Sequence, residues 1–162
     1  MRNILMLTII LLLGSLEEAS AEAHGFKAGA IKIAHPWTQQ TLDSVAPAVG
    51  YMTLENTGPT DDRLVAASST AAEEVTMHLT QFHNGITHVR TQLDGIVIPA
   101  YATVDLQPGG YHLMLSKLQQ PVMLGQMIPL ILTFEKAGHV EVMLKVERTA
   151  PADHSAHQPM AK

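Results

Sequence analysis

The stretch 108–115, Pro-Gly-Gly-Tyr-His-Leu-Met-Leu, holds the donor pair of most chemical interest in the chain. His112 and Met114 stand two positions apart behind a Pro-Gly-Gly turn, and side chains at i and i+2 of a strand leave the same face. An imidazole beside a thioether is a poor acid or nucleophile, but nitrogen next to soft sulfur is half of a copper site. Leu113 and Leu115 then point the other way, into a core. For the other half, a strand over residues 74–82 puts Val75, Met77 and Leu79 on one face and Thr76, His78 and Thr80 on the other. His78 is therefore the second candidate, and Met77 reads as core. Asn84-Gly85 is a strong two-residue hairpin signal, with His83 at the turn and His88 in the returning strand.

These residues need strands to position them. The pattern predicts a first strand at 30–34 closed by a turn at His35-Pro36-Trp37, then a polar loop at 38–47. The proline keeps His35 extended, and Trp37, the single tryptophan, is expected in the core. Further strands are predicted at 48–56, 62–68, 74–82, 86–93, 96–98, 103–106, around 112, 128–134 and 140–147. About nine short strands between turn signals, with no convincing amphipathic helix, predict an all-β antiparallel sandwich or Greek-key barrel.

Composition narrows the function classes. The 162 residues carry a net charge of -5 and no Lys/Arg cluster, which leaves no electrostatic footprint for nucleic acid or an anionic membrane. Cysteine is absent, so no disulfide, thiolate metal site or blue-copper centre can form, and the soft-ligand role falls to methionine. Arg2, the apolar run 4–13 and Ala19-Ser20-Ala21 read as a secretory signal peptide over 1–21, too short for a membrane span, with 23 as the alternative end. With no Cys after the apolar run, a lipid anchor is not expected. Cleavage after Ala21 or Ala23 puts His24 third or first in the mature chain, where the terminal amine and imidazole together chelate Cu(II). The segment 149–162 lacks a strand pattern and reads as a flexible tail. His154, His157 and Met160 in that tail, with His24, form the candidate set for a secondary copper site, suited to Cu(II).

Over residues 24–148 the chain resembles the periplasmic copper chaperones of the PCuAC type. The resemblance is carried by HPW at 35–37, AVGYMTLENTG at 48–58, DDRLVAASS at 61–69, His78, NGITHVR at 84–90, DLQPGGYHLML at 105–115 and LTFEKAGHVEV at 132–142. It implies a cupredoxin-like β-sandwich that carries copper, as Cu(I), in the periplasm toward the CuA centre of cytochrome c oxidase. The implied partners are subunit II of that oxidase or a thiol-bearing copper chaperone. The family ligands are a His, a Met about eleven residues later, and a His-x-Met pair. Three carry over, to His78, His112 and Met114. Alignment on Gly85 and Arg90 puts the fourth at Val89, which has no donor atom. His88 ranks first as its substitute if a bulge turns it toward His78, His83 second, and Met77 third.

Thioether ligands hold Cu(I) with moderate strength and exchange readily, which suits a monomeric carrier rather than an enzyme. Two other classes stand beside it: a zinc-dependent hydrolase, which would need a third imidazole or a carboxylate around an open position, and an exported interaction sandwich without metal.

Overall fold

The structure, a computed structural model, describes residues 25–148. The expected signal peptide, His24, and the tail with His154, His157 and Met160 lie outside the described residues. Within them the chain forms eleven strands and no helix. These are β1 (Phe26–Ala28), β2 (Ile31–Gln39), β3 (Ala48–Asn56), β4 (Asp62–Ser68), β5 (Ala72–His83) and β6 (Ile86–Thr91), followed by β7 (Ile96–Ile98), β8 (Thr103–Leu106), β9 (Tyr111–Leu118), β10 (Met127–Phe134) and β11 (Gly138–Glu147).

Alternation in the sequence decides which face of each strand is buried. In β3, Ala48, Gly50, Met52, Leu54 and Asn56 are buried, while Val49, Tyr51, Thr53 and Glu55 between them are half-buried. The same period turns Leu113 and Leu115 of β9 and Leu130, Leu132 and Phe134 of β10 inward. All eleven strands join one sheet in the order β6-β5-β9-β8-β3-β2-β11-β10-β4-β7, with β1 on β2 and a second pairing of β3 with β9. β4 also meets β5 across the fold. The open sheet thus curls around one core, to which every strand except β6 contributes a buried side chain. Each buried Leu or Ile there stabilises the fold by about 1.5–3 kcal/mol. All six residues of β6 are exposed, so this edge strand is held by its hairpin with β5.

The all-β expectation holds, and the strand count exceeds the expected nine or so for local reasons. β1, with three residues, is too short to show a period. β2 does not stop at Ala34: it runs on to Gln39 across a bulge, with the register against β3 slipping between Ala34 and Trp37. Thr38, expected in a polar loop, is fully buried. His35, expected extended before its proline, instead has φ of 45°, because a bulged residue takes the sharp bend for which its neighbours in the ladder have no room. The same slip turns Trp37 to the outer face. It is buried there outside the main core, 6.2 Å between ring centroids from His35 and 4.6 Å from Tyr51.

Two turns set the strands that matter for chemistry. Asn84 and Gly85 both have positive φ, 51° and 78°, the type I′ geometry that matches strand twist. At the head of β9, Gly110 N–H donates to the Gln107 carbonyl at 3.0 Å, and Gly109 has φ of 79°. Pro108 and Gly109 therefore occupy the two central positions of a type II turn, the second of which demands a left-handed residue.

Candidate metal centre

β5 and β9 pair antiparallel with His78 opposite His112, Thr76 opposite Met114 and Met77 opposite Leu113. Residues directly opposite share a face, so His78, His112 and Met114 leave the outer side of the sheet while Met77 and Leu113 enter the core. The two imidazoles lie with centroids 5.6 Å apart and planes at 79°. A metal–imidazole bond of about 2 Å sets a ring centre roughly 3 Å from the ion, so two rings sharing one ion have centres within roughly 6 Å. The observed pair falls inside that limit. Met114, half-buried, stands between Thr76 on β5 and Val49 on β3.

The turn before β9 orients the first imidazole. The Gly110 carbonyl accepts the Thr80 N–H at 3.0 Å and the His112 Nδ1–H at 3.1 Å. A carbonyl only accepts, so the ring proton sits on Nδ1 and the Nε2 lone pair is left for an ion. One oxygen thus ties β5 to the turn and selects the tautomer, the usual outer support of a metal-binding histidine. His78 Nε2 lies 3.4 Å from the Thr91 hydroxyl of β6. Partial burial, and next the nearby His112, push the His78 pKa below its ordinary 6.5. Both effects favour the neutral ring that a metal requires. Thr76 Oγ1, in the same row, is buried with no hydrogen-bond partner among the described residues. Such an orphan hydroxyl calls for a polar occupant beside it.

The expected substitutes for a fourth donor do not join this row. The β5–β6 ladder runs without a slip from His78 opposite Thr91 to His83 opposite Ile86. Val89 falls opposite Thr80 and so shares the His78 face, while His88 falls opposite Gln81 on the other side. Without a bulge, the alternation that aims Val89 at the site aims His88 away from it, which corrects the expectation that ranked His88 first. His83, two residues beyond Gln81, shares the far face, where it and His88 border a shallow hollow with Arg90. Met77 is a buried core residue. Among the described residues no group of three or more His, Cys, Asp or Glu could hold a metal, so any ion here must use the thioether. The Gly110 carbonyl, Thr91 and Thr76 carry no sequence signal, because their roles arise from cross-strand neighbours.

A family model described as "Putative lipoprotein LpqE-like" matches residues 31–146. The chain belongs to the LpqE-like family. A relative from Leifsonia xyli subsp. xyli (strain CTCB07), named "Putative lipoprotein Lxx21020", is 31% identical over 137 residues, 85% of this chain and 81% of the relative. Among solved structures, the copper-bound PCuAC domain from PmoF2 matches this LpqE-like chain with TM-score 0.67 and 30% identity, covering 78% of this chain and 99% of that domain. The apo PCuAC domain from PmoF1 gives TM-score 0.66 and 25% identity, covering 78% and 100%. Apo-DR1885 from Deinococcus radiodurans, at 21% identity and TM-score 0.58 over 93% of this chain and 98% of its own, shares the fold. The LpqE-like chain therefore has the cupredoxin-like fold of PCuAC domains, as its sequence led us to expect.

Proposed function

We propose that this LpqE-like protein is an exported copper carrier that holds one Cu(I) between His78 and His112 of facing strands and the Met114 thioether. The supporting observation is the 5.6 Å imidazole pair, with Met114 two residues from His112 on the same face, in a fold that a copper-bound PCuAC domain shares at 30% identity. Two neutral nitrogens and one soft sulfur suit a monovalent copper ion. No donor completes a fourth position at Val89, so an acceptor's ligand can enter there before the carrier's own ligands leave. The reading is of a non-catalytic monomer in the periplasm. Its acceptor is the CuA centre of cytochrome c oxidase subunit II or a thiol-bearing copper chaperone. The lipoprotein names of its relatives agree with export, although none of the 162 residues here is a cysteine that could take a lipid.

Titration of the mature protein with Cu(I) against a competing chelator tests the proposal. One Cu(I) equivalent that is present in the wild type and lost from the His78→Ala/His112→Ala double variant is expected. Preference for zinc, or a copper stoichiometry and affinity identical in the wild type and the double variant, would overturn it.

A further inference from the structure

A second concavity, of about 360 Å³, opens on the outer side of β2, β10 and β11, where His35, Pro36, Met127, Met143, Lys145 and Glu147 border it. We infer that it is a separate soft-metal site, in which His35 and the thioethers of Met127 and Met143 take Cu(I) or its analogue Ag(I). The inference does not rest on the function proposed above, since β3 and β2 stand between β9 and β11 in the sheet.

Register and the β2 bulge bring the three donors to one concavity. β10 and β11 pair with Met127 opposite Lys145 and Met143 opposite Pro129, so Met127, Met143 and Lys145 leave one face. β11 runs parallel to β2 with Lys145 opposite Trp37. Met143 stands two residues before Lys145 on β11, and the bulge between Ala34 and Trp37 in β2 sets His35 beside it at the border of the same concavity.

The histidine is held as a ligand would be. Its φ of 45°, in a residue that precedes proline, costs about 1–3 kcal/mol, and strain of this kind concentrates at working sites. The ring stacks against Trp37 at 6.2 Å. Its Nε2 lies 3.5 Å from Glu147 Oε1, which leaves Nδ1 without a hydrogen-bond partner among the described residues. A carboxylate beside one ring nitrogen is a common outer support that orients a metal-binding imidazole. Methionine ordinarily fills gaps in a core, yet Met127 is 48% exposed. The Glu147 carboxylate also lies 3.5 Å from Lys145 Nζ, so the one cation at the rim has its countercharge in place. One nitrogen and two thioethers, with no thiolate, select a soft monovalent ion over zinc.

The test uses the full chain carrying His78→Ala, His112→Ala and Met114→Leu, titrated with Ag(I) while the fluorescence of the single tryptophan is followed. Saturable quenching is expected, because Trp37 stacks on His35, and adding Met127→Leu and Met143→Leu should abolish it. Met-to-Leu exchange nearly conserves volume, and circular dichroism checks that the sheet is kept. X-ray absorption of the silver-loaded three-site variant supplies a readout that needs no further substitution: two sulfur neighbours per ion are expected. Absence of quenching, quenching that survives both Met-to-Leu changes, or an ion without sulfur neighbours would overturn the inference. Loss of the His78 site with this one retained, or the reverse, distinguishes the two proposals.

Discussion

The two faces of the β5–β6 hairpin carry three histidines between them and treat them differently. On one face His78 has β9 beside it, half-buried, with a second imidazole directly across the ladder. On the other, His83 and His88 lie beyond the last β5–β9 pair, Leu79 with Tyr111, where the hairpin overhangs and every residue from Gln81 to Arg90 is exposed. Residue type is the same in each case. What separates them is a third strand, which confines the ring, depresses its pKa and supplies the partner donor.

That contrast can be broken most forcefully at His112. Replacing it with alanine removes a direct ligand, and Cu(I) affinity should fall by more than the roughly 10–100-fold typical of losing a mere outer support, as read by chelator competition. An effect no larger than that of His88→Ala would erase the distinction between the faces. Val89→Met tests the same geometry by addition. A thioether on the His78 face should tighten Cu(I) by about tenfold, corresponding to about 1.4 kcal/mol, and add one sulfur to the copper absorption spectrum. His88→Met, aimed the other way, should do neither.

A smaller effect should appear with pH. Because the folded His78 pKa is lowered from 6.5, its ring stays neutral, and its own share of the copper affinity should persist, below the pH at which an ordinary histidine would take a proton. Affinity then declines as pH falls through the lowered value. The same shift makes the unfolded apo-protein take up the proton first, so that His78 lowers apo stability progressively as pH falls from 6.5. Thermal melts of the wild type and of His78→Gln across this range should diverge on the acid side and converge above it. The smallest effect is expected at the hairpin tip, where His83→Ala and His88→Ala should each leave Cu(I) affinity within about twofold of wild type, the scale of an ordinary surface substitution. A larger loss would mean that the tip folds back onto the site.

The sequence by itself determined what depends on neighbours along the chain. Period-two alternation marked β3, β5, β9 and β10 and turned Leu113 inward with His112 and Met114 outward. Asn84-Gly85 and Pro108-Gly109 announced their turns, since both need φ values that glycine or asparagine supplies. Only the tertiary structure decided that His78 faces His112, that Val89 rather than His88 shares their side, and that His35 bends at a bulge to stack on Trp37 near Met143. Each of these is a matter of register between segments far apart in sequence. A slip of one residue reverses every side chain of a strand, and bulges or packed neighbours that leave no periodic trace in the sequence set that slip.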